Sequence, residues 1–138
     1  MEVNTEVLKV VPIIAPAAAL TATTEGLVID TKGYENLTFV VASGATMAGL
    51  FDLTVKEAAA HTGTLGTDAA LTDGTDATLI GTAPSLAAGD VGVIEKCGVK
   101  LNPSKRYVRA TLTETTASTG SLLAVVAILS NPRVAPVS

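Results

Sequence analysis

The sequence predicts an all-β protein, an antiparallel β-sandwich of about eight strands, jelly-roll type, with extended N- and C-terminal arms. Three observations predict it. Apolar residues recur with period two in one segment after another. Gly, Asn, Asp and Pro interrupt these segments at intervals of roughly 8–12 residues, as turns do between short strands. No stretch carries the i, i+3, i+4 spacing of an amphipathic helix of ordinary length. At 138 residues and 48% apolar content, the chain reads as one domain, 1–138, large enough to bury a real core. Aromatics are 3% of the chain, so that core is built from Val, Leu, Ile and Ala, with about 1.5–3 kcal/mol from each fully buried Val, Leu or Ile.

Residues 1–20 read as an extended arm. Val3, Thr5, Val7, Lys9 and Val11 alternate with Asn4, Glu6, Leu8 and Val10 without a strongly polar face, and Pro12 and Pro16 stop any central strand or helix. The arm is either the first strand of the domain's own sheet or a strand lent to a neighbour. A short strand follows at 26–31, then a turn over 32–36 in which Gly33 supplies positive φ. Strand 37–42 ends at Ser43-Gly44. In 50–57, Phe51, Leu53 and Val55 alternate with Asp52, Thr54 and Lys56, which makes one face of this sheet wet.

Residues 58–90 are rich in Ala, Thr, Gly and Asp, and short strands at 69–71 and 77–80 fit between the turns. Residues 91–99 form another strand, and 101–104 turn into the longest predicted feature, a β-hairpin over 105–130. In its first strand Val108, Ala110 and Leu112 alternate with Tyr107, Arg109, Thr111 and Thr113. Its return strand, 121–130, is apolar on both faces, which predicts a central strand covered on each side. β-branched residues and the following Asn131-Pro132 favour strand over helix there. Residues 131–138 form a Pro-containing C-terminal tail.

Composition excludes several functions. A net charge of −4 and a pI near 4.8 argue against binding nucleic acid or an anionic membrane. A spanning helix needs about 20 mostly apolar residues, and the longest uninterrupted run is 122–129. Residues 15–22 resemble a signal-peptide cleavage region, but Glu2 and Glu6 precede it where a positive start is expected, so the N-terminus is read as uncleaved. The mean hydropathy of +0.48 is high for a lone soluble domain and points to apolar surface hidden against other subunits. Cys97, the one cysteine, cannot form an intrachain disulfide and reads as a buried structural thiol.

Reactive chemistry is sparse. His61 is the one histidine, it lacks a neighbouring nucleophile motif, and it reads as a surface or packing residue. Asp68, Asp73, Asp76 and Asp90 could gather around calcium, but they lack the loop spacing of a calcium motif and read as solvated turns. Asn36-Leu37-Thr38 matches a glycosylation sequon in a chain without export signals. The glycines of 63–81 precede no strand-to-helix unit and make no phosphate cradle. No catalytic group, metal or cofactor is predicted. Lys105, Tyr107 and Arg109 share one face of a strand, where two cations flanking a tyrosine suit docking onto an acidic partner; the alternative is an ordinary solvated face.

Three segments carry a family resemblance: Ile29-Asp30-Thr31 with Gly33-Tyr34, residues 104–109 (Ser-Lys-Arg-Tyr-Val-Arg) with their Thr-rich continuation, and 127–137 (Ala-Ile-Leu-Ser-Asn-Pro-Arg-Val-Ala-Pro-Val). Together they resemble small tailed-bacteriophage structural proteins, and more narrowly the capsid cement, or decoration, proteins of short-tailed phages. The resemblance implies a jelly-roll subunit on the outside of an HK97-type capsid shell, assembled after synthesis in the host cytoplasm. It further implies a homodimer that bridges neighbouring copies of the major capsid protein. The family carries no catalytic residues to transfer and places no established binding residue onto these positions; from the residues themselves, Lys105, Tyr107, Arg109 and, in the tail, Arg133 are the candidate partner-binding residues. The rival expectations are a phage tail or fibre subunit, an exported carbohydrate-binding or adhesion module, which the lack of Trp disfavours, and an enzyme using His61.

Overall fold

In the computed structural model, which describes residues 8–15 and 20–132, twelve strands form and no helix is present among the described residues. They are β1 (Leu8–Ile14), β2 (Thr24–Asp30), β3 (Tyr34–Ser43), β4 (Leu50–Ala58), β5 (Ala60–Thr62), β6 (Ala70–Thr72), β7 (Thr75–Asp76), β8 (Thr78–Ile80), β9 (Ser85–Ala87), β10 (Ile94–Lys100), β11 (Tyr107–Thr116) and β12 (Leu123–Pro132). One five-stranded antiparallel sheet runs β1-β12-β3-β10-β8. The other runs β2-β11-β4-β7, with β9 also on β4, and β5–β6 form a separate hairpin. Strands outnumber the eight expected because β5 to β9 are two or three residues each, too short for periodicity to register.

The two sheets pack face to face. Leu123, Val125, Ala127 and Leu129 of β12, Leu37, Phe39 and Val41 of β3, and Cys97 and Val99 of β10 meet Val108, Ala110 and Leu112 of β11 and Phe51, Leu53 and Val55 of β4. The alternation read from the sequence in 50–57 and 107–113 therefore sets the inward stripes of β4 and β11. Gly33 takes φ +89° in the tight turn before β3, and Thr31 Oγ1 donates to the Arg106 carbonyl at 2.7 Å beside it. β3 begins at Tyr34, which is buried, so the turn is shorter than the predicted 32–36.

Two expectations are overturned. Residues 105–130 are not a hairpin, because β11 and β12 belong to different sheets and face each other across the core. Alternation identifies a strand but not its neighbour. The connection between them crosses from one layer to the other, pinned by the Leu20–Ser121 bridge. Buried Ser121 Oγ also donates to the Ala48 carbonyl at 2.5 Å and accepts from the Ala48 N–H at 2.9 Å. Nor is β12 covered on both sides, since Leu123, Val125, Ala127 and Leu129 are buried while Ala124, Val126, Ile128 and Ser130 are half-exposed.

Of the N-terminal arm, residues 8–14 are an edge strand of the domain's own sheet, paired with β12 from Leu8↔Ser130 to Ile14↔Val125 with an irregularity after Pro12. Proline is tolerated at such an edge. Residues 1–7 and 16–19 of that arm, and 133–138 of the tail with Arg133, lie outside the described residues. Asn131 and Pro132 end β12.

Candidate interaction surface

The two outer faces of the sandwich differ in chemistry. The face of β2-β11-β4-β7 carries Tyr107, Arg109, Thr111 and Thr113 from β11 beside Thr54 and Lys56 from β4. Its charges are answered locally. Arg109 donates from Nε to the Gly26 carbonyl at 2.9 Å and lies 3.2 Å from Glu25. Lys56 pairs with Asp76 at 3.0 Å. Arg106 makes a two-pronged bond to Asp30, 2.5 Å on each prong, and this pairing holds the Asp30 carboxyl below its ordinary pKa while raising that of Arg106.

The predicted trio is thus only partly brought together. Tyr107 and Arg109 share the outward face of β11, whereas Lys105 precedes the strand and hydrogen-bonds Thr75 of β7. The His61 ring meets Tyr107 edge-on at 4.5 Å, and the Arg106 guanidinium sits 5.2 Å from the Tyr107 ring centre. His61 is brought here by the β5–β6 hairpin, which folds against this sheet.

The face of β1-β12-β3-β10-β8 is apolar and open. Cross-strand register places Val10, Ile128, Thr38, Gly98 and Ile80 in one row, Pro12, Val126, Val40 and Lys96 in the next, and Ala124, Ala42 and Ile94 in a third. Val10 is 61% exposed, Ile80 62% and Ile94 71%. Between them Val40, Ala42, Ala124, Val126 and Ile128 are half-buried by one another. Lys96 is the one charge in these three rows and stands at the end of its row, with Lys100 beyond it on the same strand. An apolar centre with cations at the margin is the anatomy of a protein–protein contact. The sequence signal was the two-faced apolarity of 122–129, whose outer half takes no cover from the described chain.

The acidic turns use their own carboxylates. Asp68 accepts from the Thr64 N–H at 2.7 Å and from the Thr67 hydroxyl at 3.2 Å, which lowers its pKa, Asp76 is paired with Lys56, and Asp90 accepts from the Ala87 N–H at 2.8 Å. Among the described residues no group of three or more His, Cys, Asp or Glu side chains is placed to hold a metal ion. Also among them, no helix is long and apolar enough to cross a membrane. Cys97 is 2% exposed in the core, and burial raises its thiol pKa.

Fold and surface together define an antiparallel β-sandwich with one charge-paired outer face and one open apolar face. No protein-family model matches the chain, and no curated protein is significantly similar to it.

Proposed function

We propose that this protein is a structural subunit of a phage particle. It binds the outside of an HK97-type capsid, pairs with a second copy of itself and bridges neighbouring major capsid proteins, stabilising the head. The observation that carries this reading is the open apolar face of the β1-β12-β3-β10-β8 sheet. A largely apolar patch centred on β12 and β3 and reaching Val10, Ile80 and Ile94 at its margins is a liability in a monomer and an asset in an assembly. The two-layer antiparallel sandwich is compatible with the jelly-roll subunit implied by the resemblance of residues 104–109 and 127–137 to cement proteins. Repetition over the shell makes modest affinity at each site sufficient, because each added contact is made at high effective concentration. The test is to add the purified chain to heads lacking it and to follow occupancy and rupture temperature. Saturable binding with a raised rupture temperature supports the reading; no binding, or binding without a change in rupture, removes the stabilising role. Light scattering on the purified chain separates a dimer from the trimers or hexameric rings of a tail or fibre subunit.

A further inference from the structure

Most aspartates of this fold are held at two points. The carboxylates of Asp30, Asp68, Asp76 and Asp90 are engaged by Arg106, Thr64, Lys56 and Ala87 as described above. The backbone N–H that follows each of them is committed as well: Thr31 donates to the Arg106 carbonyl at 3.0 Å, Ala69 to Thr64 at 3.1 Å, Ala77 to Val55 at 3.0 Å and Val91 to Gly89 at 2.8 Å. Asp52 lies inside β4, and the Leu53 N–H after it donates to the Pro84 carbonyl at 2.9 Å. Asp73 is the exception. Among the described residues its carboxylate accepts no hydrogen bond and joins no ion pair, and the Gly74 N–H after it has no acceptor. Both residues are exposed in the turn between β6 and β7. Asp73 holds φ +53°, a left-handed conformation uncommon for a residue with a side chain. Asn131, the other non-glycine residue with positive φ among those described, precedes Pro132, which has no N–H.

A free carboxyl next to a free peptide nitrogen is the reactive pair for ring closure, and glycine adds no side chain to obstruct it. The Gly74 nitrogen attacks Cγ of the protonated Asp73 carboxyl, an N–Cγ bond forms, and the carboxyl OH leaves with the amide hydrogen as one water. Solvent water then opens the succinimide ring at either carbonyl. Cleavage of the N–Cγ bond restores aspartate, whereas cleavage between the nitrogen and the α-carbonyl carbon leaves a β-linked isoaspartate with a free α-carboxylate. Water is lost and regained, and nothing is oxidised or reduced. We propose that Asp73-Gly74 is a site of spontaneous isoaspartate formation in the folded protein. The carbon added to the main chain lies at the entry to β7, whose Thr75 and Asp76 engage Lys105 and Lys56, so conversion acts on the charge-paired face of the sandwich. The inference does not rest on the capsid reading, since it concerns the chemistry of one turn and not the identity of the particle.

The test is to age the native full chain at mildly acidic pH and physiological temperature beside the same chain held in denaturant, and to map both with trypsin. The tryptic peptide 57–96 carries Asp68, Asp73, Asp76 and Asp90 together, so each sample contains its own controls, and electron-transfer fragmentation separates α- from β-linkage residue by residue. The expected result is isoaspartate accumulating at residue 73 of the native chain, preceded by a species lighter by one water, at a rate within severalfold of that in denaturant. Asp68, Asp76 and Asp90 stay α-linked in the native chain. Gly74→Ala slows conversion severalfold; the backbone there is not left-handed, and the added methyl meets Leu71 Cβ at 3.4 Å, an ordinary contact. No isoaspartate at residue 73 of the native chain, equal conversion at all four aspartates, or an undiminished rate in Gly74→Ala overturns the proposal. Should Gly74→Ala fail to fold, the comparison of native with denatured unaltered chain decides: conversion confined to the denatured chain shows that the fold protects this turn and overturns the proposal equally.

Discussion

Val126→Glu separates folding from assembly. Val126 lies in the middle row of the open face, flanked by Pro12 on β1 and Val40 on β3, and its side chain points away from the core, so the substitution leaves the inward stripe intact. The cost to the free fold is about 1 kcal/mol from strand preference. The cost to a contact across the face is larger. With strands about 4.8 Å apart and same-face residues about 7 Å apart along each strand, the three rows span roughly 400–500 Å². At about 25 cal/mol per Å² that is on the order of 10 kcal/mol of gross stabilisation per partner before the costs of association. A carboxylate at its centre must be desolvated without a partner, a penalty of about 3–4 kcal/mol that weakens association roughly 10²–10³-fold. Sedimentation velocity over a concentration series, together with head occupancy read from purified particles, measures it. A Val126→Glu variant that self-associates and occupies heads as the unaltered chain does, while melting at a similar temperature, refutes a contact across this face.

Three further predictions concern the sandwich itself. Phe39, 0% exposed in the core, loses about 3–5 kcal/mol of stability as Phe39→Ala by equilibrium denaturation; a loss under 1 kcal/mol contradicts the packing described. The Asp30 carboxyl has its folded pKa depressed chiefly by the Arg106 hydrogen bond. Its contribution is therefore complete above the unfolded carboxylate pKa near 4 and is lost as pH falls through the folded value. The stability gap between the unaltered chain and Asp30→Asn should accordingly narrow below about pH 4, and a gap independent of pH contradicts the pairing. Cys97, buried and with its thiol pKa raised, should react with a thiol reagent far more slowly in the native state than in denaturant, and equal rates would place it at the surface.

The parts of the fold legible in the sequence are those set by local period. The inward residues of β4 and β11 follow from alternation alone, because side chains on a strand change face at every step. Strand partnership is not local, and for that reason residues 105–130 read as a hairpin when β11 and β12 lie in opposite layers. The two-faced apolarity of 122–129 was visible, yet sequence cannot distinguish a second layer of the same chain from a surface left for another. The charges around Tyr107 read as available for docking, and the structure supplies their partners from β2 and β7, whose neighbours no spacing rule reveals.

On the reading proposed above, the outer face of β1-β12-β3-β10-β8 meets another protein chain. A density map of heads reconstituted with this protein tests it most directly. Val10, Val126, Ile128 and Ile94 are expected to pack against a second copy or a capsid subunit on the shell exterior. A map in which that face looks into solvent, or in which the heads carry no added density, contradicts it.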